Sequence, residues 1–182
     1  MLKKKERILL YGSNIWYLGE GMLGPLFAVF AEKVGGDILE ITWAWAIYLF
    51  VTGLLVMLIG KISDNKISKK KLMVAGYALN AIFTFGYLFV SSTWHLFIVQ
   101  AGLGMAVALA APTWESLYAQ YEDKKHAGYT WGLADGESRL FTALAIVIGG
   151  LIVTFFSFRA LFLVMGVIQV IATIYQTQLL KK

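Results

Sequence analysis

A chain of 182 residues that is 59% hydrophobic and 15% charged, with a mean hydropathy of +0.70, carries more apolar surface than a soluble domain of this size can bury. Composition therefore points to an integral membrane protein. Cysteine is absent, which excludes a disulfide framework, a thiolate metal site and dithiol redox chemistry. The net charge of +5 falls on lysines in short segments between apolar runs, a pattern that membrane topology explains without a nucleic-acid partner.

Six apolar segments follow one another at about 8–31, 39–62, 70–91, 94–119, 127–154 and 158–179. Each is long enough, as a helix, to cross a hydrocarbon core of ~30 Å. No barrel-like alternation is present, so backbone satisfaction in lipid predicts helices. The expected fold class is an all-α membrane protein with six transmembrane helices, forming a single domain over residues 1–182. The run after the basic start (Lys3, Lys4, Lys5, Arg7) is too long for a signal-peptide core and lacks a small-residue cleavage site, so it predicts a retained first helix.

An even number of spans puts both termini on one side. That side receives Lys61, Lys66, Lys69, Lys70, Lys71, Lys124, Lys125, Lys181 and Lys182 besides the basic start, while the other receives Lys33 and Arg159. The asymmetry predicts cytoplasmic termini, and a bacterial cytoplasmic membrane is the expected location. Trp43, Trp45 and Trp94 near outer helix ends, and Tyr129 and Trp131 near an inner one, read as an interfacial belt. His95 and His126 also read as interfacial, so no metal and no cofactor is expected.

Glu20 is the sharpest polar signal. It lies midway along the first span, in Tyr17-Leu-Gly-Glu20-Gly-Met-Leu-Gly24-Pro25. A charged side chain at that depth costs at least ~2.5–3.5 kcal/mol on insertion scales, so such residues line cavities or carry function. The glycines and Pro25 weaken the helix there, and discontinuous helices at mid-membrane are where transporters bind substrate and coupling ions. Ser13, Trp16 or Tyr17, Glu20 and Gly24 share one face by helical spacing. Together they predict a substrate or proton pathway of Glu20, Trp16 and Tyr17. A Glu20 hydrogen-bonded to a neighbouring helix, with no such duty, is the alternative.

In the second span Ala46, Gly53 and Gly60 recur every seven residues, a stripe that keeps small residues toward a partner helix. Glu115 lies after Pro112, near the inner end of the fourth span, and is expected to pair with lysines of the 60–72 segment. The fifth span carries Gly128, Gly132 and Gly136 on the side of Asp135 and Arg139, which are spaced to pair. That face predicts a helix–helix or gating contact. Glu137 points the opposite way and is assigned to the pathway with structural service equally open. Asn80, Gln100, Gln169 and Thr173 receive no role. No histidine, cysteine or nucleophile–base spacing occurs in the spans, and no G-x-x-x-x-G-K-[ST] loop is present, so an enzyme is not expected.

The segment Gly60-Lys-Ile-Ser-Asp64-Asn-Lys-Ile-Ser-Lys69-Lys-Lys-Leu72 resembles the signature loop, motif A, of the major facilitator superfamily, G-x-L-a-D-r-x-G-r-k-x-x-l. Gly60, Ile62, Ser63, Asp64, Lys69 and Leu72 stand in register, while Asn65, Ile67 and Ser68 depart from it. Gly24-Pro25, the Gly102/Gly104 pair and Pro112 also fall where similar proteins carry glycine and proline; Gln100 stands where an arginine is usual. The resemblance implies one half of a twelve-helix architecture, built as a 3+3 inverted repeat. Gly19-Glu20-Gly21-Met22 and Gly102-Leu103-Gly104-Met105 echo each other across such a repeat. The resemblance further implies gating through Gly60, Asp64, Lys69 and Glu115, with Asp64 approaching the Gly128 end of the fifth helix in a partner half. It places the second and fifth helices crosswise at the interface between halves.

The function these readings favour is a half-size secondary transporter. It would act as a parallel homodimer by alternating access, moving a small solute with proton coupling. A substrate-binding subunit of a multi-component importer and a non-transporting scaffold are the alternatives.

Overall fold

The computed structural model describes residues 3–65 and 67–181, apart from the side chains of Asp64 and Asn65. The described residues form seven α-helices: α1 (Lys4–Gly21), α2 (Leu26–Lys33), α3 (Ile38–Asn65), α4 (Lys69–Gly86), α5 (Thr93–Tyr121), α6 (Ala127–Phe155) and α7 (Phe158–Gln176). Short 3-10 turns extend α4 and α7 and precede α6. No strand occurs among the described residues. Five helical stretches, those of α3 to α7, are long and apolar enough to cross a membrane.

The expected first span, 8–31, is interrupted. It divides into α1 and α2 at a turn over Met22–Pro25. Pro25 offers no amide hydrogen, and its ring clashes with the carbonyl four residues back, so a helix cannot run unbent through it. The chain restarts with the Phe27 amide donating to the Gly24 carbonyl at 3.2 Å. α1 also carries Lys4, Lys5, Glu6, Arg7 and Glu20, too much charge for an autonomous span. Pro112, by contrast, lies inside an unbroken α5. Beside it the Thr113 hydroxyl donates to the carbonyls of Leu109 and Ala110 at 2.6 and 3.0 Å, one of the adjustments that let membrane helices tolerate proline.

The core forms two clusters along the bundle axis. One gathers Met22, Phe27, Phe30, Tyr87, Leu96, Phe158 and Phe162 around α2. The other gathers Leu9, Trp16, Met73, Tyr77, Leu117, Tyr118 and Leu179 around the start of α1. Between them lies a level rich in polar groups: Glu20, Asn80, Gln100 and Gln169. At that level Gln169 Nε2 donates to the Trp16 carbonyl at 3.1 Å, tying α7 to the last full turn of α1.

Helix pairs approach closely where glycine permits. A Cβ on Gly76 of α4 would stand 2.7 Å from Ala106 O and Ala110 N of α5, and one on Gly149 of α6 would collide with the Met22 carbonyl. Burial is uneven. Only 6% of α3's apolar stretch and 11% of α6's is buried, against 39% in α4 and α7 and 50% in α5. Outside the spans, Asp123 accepts from the Lys125 amide at 3.1 Å and pairs with His126 at 3.0 Å. The His126 bond, then the Lys125 amide, holds the Asp123 carboxyl below its ordinary range. Its contribution is thus present above the usual carboxylate pKa and fades as pH falls through the lowered value.

Gly76→Val forces α4 and α5 apart and should lower thermal stability in mild detergent by about 1–3 kcal/mol. Gly150→Ala, whose Cβ meets nothing within 4 Å, should leave the melting midpoint unchanged or slightly raised. Equal midpoints for the two variants would refute the close approach.

Candidate functional site: an aromatic cavity with a buried carboxylate

Three helices present the same i, i+3, i+4, i+7 face to one space. On α1 it is Ser13, Trp16, Tyr17 and Glu20; on α5, Val107, Ala110, Ala111 and Trp114; on α6, Trp131, Ala134, Asp135 and Ser138. With Tyr48 of α3, Tyr77 of α4 and Glu115 they line a cavity of about 390 Å³. Small residues on α5 leave the volume open, and six aromatic rings from five helices line it. Glu20, Glu115 and Asp135 are its acids, and no lysine or arginine is among the lining residues. Such a wall suits neutral or cationic groups, because ring faces and carboxylates both attract positive charge.

Glu20 is held from within its own helix, where Trp16 Nε1 donates to its Oε2. Trp16 is in turn packed edge-on against Tyr77 at 4.4 Å. The indole thus fixes the carboxylate at the end of α1, one residue before the helix stops. Trp114 stacks on Tyr118 at 4.7 Å with its own Nε1 bonded to the Leu9 carbonyl, and Trp131 stands edge-on to both rings.

The expected face of Ser13, Trp16, Tyr17 and Glu20 is therefore assembled on one cavity. Gly24 lies just beyond, lining a smaller cavity that Glu20 also reaches. Glu115 is placed on the main cavity wall. Its neighbour Ser116 accepts from Lys69 Nζ at 2.7 Å, so α4 and α5 are bridged one residue away from the position expected. Asp135 accepts from Arg139 Nε at 2.9 Å, as their spacing predicts, and it also faces the cavity. Glu137 is not among the lining residues. It sits in the α1–α6 seam, accepting from the buried Asn14 amide at 2.5 Å. Gly60 lies in the last turns of α3, and the side chain of Asp64 is outside the described residues. Gly53, Gly60, Gly128, Gly132 and Gly136 all face open space, with nothing within 4 Å of an added Cβ, and Ala46 is half-buried.

Sequence reasoning missed Tyr48, Tyr77 and Trp114 and assigned Trp131 to the interfacial belt. The signal lay in the recurrence of the α1 spacing on α5 and α6. Asn80 and Gln100, given no role, line the smaller cavity.

The sequence model of the Major Facilitator Superfamily matches residues 9–180. An uncharacterized MFS-type transporter of Methanocaldococcus jannaschii is 26% identical over 173 residues, covering 95% of this chain and 45% of that protein. A proton-coupled antiporter flippase of Staphylococcus haemolyticus is 28% identical over 173 residues, covering 88% of this chain and 42% of its own length. The chain thus spans less than half of either relative. An uncharacterized MFS-type transporter of Bacillus subtilis is 21% identical over 146 residues, which cover 80% of this chain and 88% of that protein.

Glu137→Ala strands the buried Asn14 amide and should cost about 1–3 kcal/mol of stability. Adding Asn14→Ala should recover part of that loss, since the unpaired group goes with it. A double-mutant cycle of thermal stability that shows no coupling would remove the seam contact.

Proposed function

The chain belongs to the major facilitator superfamily, and on that footing we propose that it is a half-size secondary transporter. Two copies stand parallel in a bacterial cytoplasmic membrane and move a small solute by alternating access, coupled to protons. In this reading α1 and α2 make one interrupted pass, giving six passes, cytoplasmic termini and a 3+3 repeat whose two glycine echoes lie at the level of Glu20. Superfamily membership favours transport by the chain's own helices over an importer subunit or a scaffold.

The observation that carries the reading is the cavity ending on Glu20 beside two helices, α3 and α6, that leave their glycine faces uncovered. Small-residue faces allow close helix approach in lipid. Crosswise contact of α3 with α6 of a second copy covers Ala46, Gly53 and Gly60 on one side and Gly128, Gly132 and Gly136 on the other. Asp135 and Arg139 then lie at the rim of the joint cavity. Motif A, with Gly60, Asp64 and Lys69, closes its cytoplasmic end. The Bacillus relative, matched over 88% of its length, supports a short member of the superfamily, and the proton-coupled Staphylococcus relative supports the coupling.

Glu20 works as the coupling site. Charged, it attracts a cationic group of the solute or a proton. Protonated, it loses that attraction and bonds only as a neutral group, so the two occupants exclude each other. The ring walls take the apolar part of the solute, and the acids favour cationic or neutral over anionic cargo.

Glu20→Gln should fold with an unchanged melting midpoint yet abolish solute-driven proton movement in liposomes; full activity would remove Glu20 from the mechanism. Cysteine-free in its natural sequence, the chain accepts single cysteines cleanly. Copies bearing Gly53→Cys and copies bearing Gly132→Cys, mixed in one membrane, should crosslink to a species of twice the mass. A monomer in liposomes, or a complex with an unlike protein only, would overturn the homodimer.

A further inference from the structure

The smaller cavity, of about 100 Å³, adjoins the main one and shares Glu20 and Tyr48 with it. Chain order sets the two end to end. On α1 the main cavity takes residues 13 to 20, and the smaller one takes 20 to 27, running on into α2. On α4 and the 3-10 turn after it, the main cavity takes Tyr77 and the smaller one Asn80 to Tyr87. On α5, which runs the other way, the smaller cavity takes Gln100 and Leu103 and the main one Val107 to Glu115. Glu20 stands at the boundary between them.

The smaller cavity has an unusual wall. Asn80, Thr84 and Gln100 are only 1%, 3% and 2% exposed, and all three line it. Neither Oδ1 nor Nδ2 of Asn80 has a hydrogen-bond partner among the described residues. A primary amide offers two donors and an acceptor oxygen with two lone pairs, and native proteins satisfy nearly all such buried groups with protein or ordered water. The space suffices for a few waters at roughly 30 Å³ each, and it is polar enough to hold them.

We propose that this cavity is a water-binding site that delivers protons to Glu20 from the α2 side, by a route separate from the solute cavity. The inference rests on the reading of Glu20 as a proton site. Water held by Asn80 passes a proton to the Glu20 carboxylate and takes one from the next water toward α2. One O–H bond forms as another breaks, and one positive charge moves inward with each transfer. The ionisable groups around Glu20 are Tyr17 of α1, Tyr48 of α3, Tyr77 of α4, Tyr87 of the 3-10 turn after it, Glu115 of α5 and Asp135 of α6; α2 and α7 contribute Phe27 and Met165. Two cavities meeting at one carboxylate let proton and solute reach it from different directions.

The test is infrared spectroscopy of the whole protein in liposomes after a rapid pH jump, following the carbonyl band of protonated Glu20, which is identified by its loss in Glu20→Gln. Asn80→Leu, and independently Thr84→Val, should slow the appearance of that band at least tenfold. Asn80→Ser, which keeps a polar group and leaves room for another water, should stay within threefold of the natural protein. The melting midpoint gives a second readout: in a dry cavity Asn80→Leu removes two unpaired groups and raises it, whereas in a hydrated one it does not rise. Natural rates in both Asn80→Leu and Thr84→Val, or a raised midpoint, would overturn the water site while leaving Glu20 as the coupling group. Absence of any titrating Glu20 band would overturn the coupling reading as well.

Discussion

The hydrogen bond from the Trp16 indole to Glu20 is the interaction around which the other features make sense. A carboxylate at mid-depth in a membrane bundle is tolerated only where something solvates it. Here the indole does so from within one helix, and the ring is itself braced by Tyr77. The interruption at Met22–Pro25 follows immediately, so the acid ends a helix rather than sitting inside one. The two apolar clusters meet at this level and wall the two cavities: Trp16, Tyr77 and Ala110 of one line the main cavity, and Phe27, Tyr87 and Met165 of the other line the smaller.

Rigidity and openness are distributed accordingly. α4 and α5 are drawn together through Gly76, and α6 is pressed onto the interrupted segment through Gly149. Any displacement of α6 relative to α1 therefore disturbs the turn next to Glu20. α3 and α6 nonetheless have outward faces that no other described residue covers. These two helices both line the cavity, through Tyr48 of α3 and Trp131, Ala134, Asp135 and Ser138 of α6, and bound the open surface.

Much of this was legible in the residues. Span lengths gave α3 to α7 within a few positions, because apolar runs in lipid have few alternatives to helix. The face of Ser13, Trp16, Tyr17 and Glu20 followed from helical spacing alone. Spacing identifies a face but not its neighbour, however, and that is where the reading ran short. Glu137 looked as polar and as deep as Glu20, yet it serves Asn14 across a seam. Trp131 had the composition of a belt residue and lies on the cavity wall. Asn80 is unremarkable in sequence, because its unpaired amide arises only from what α5 and α7 fail to offer it. Gly24-Pro25 signalled weakness in the first span, but only the packing of α2 against Phe158 and Phe162 makes two helices of it.

The charge carried by α1 has a consequence for biosynthesis. This helix enters a bilayer poorly by itself, and several of the side chains that bond its buried polar groups are made much later. Asn14 bonds a residue 123 positions on, the Trp16 carbonyl one 153 positions on, and the Leu9 carbonyl one 167 positions on. These contacts become available to α1 only once α6 and α7 have been translated. The segment that bears the central acid is thus synthesised before the α6 and α7 residues that bond it, and ribosomal pausing before α6 would lengthen the interval in which it lacks them.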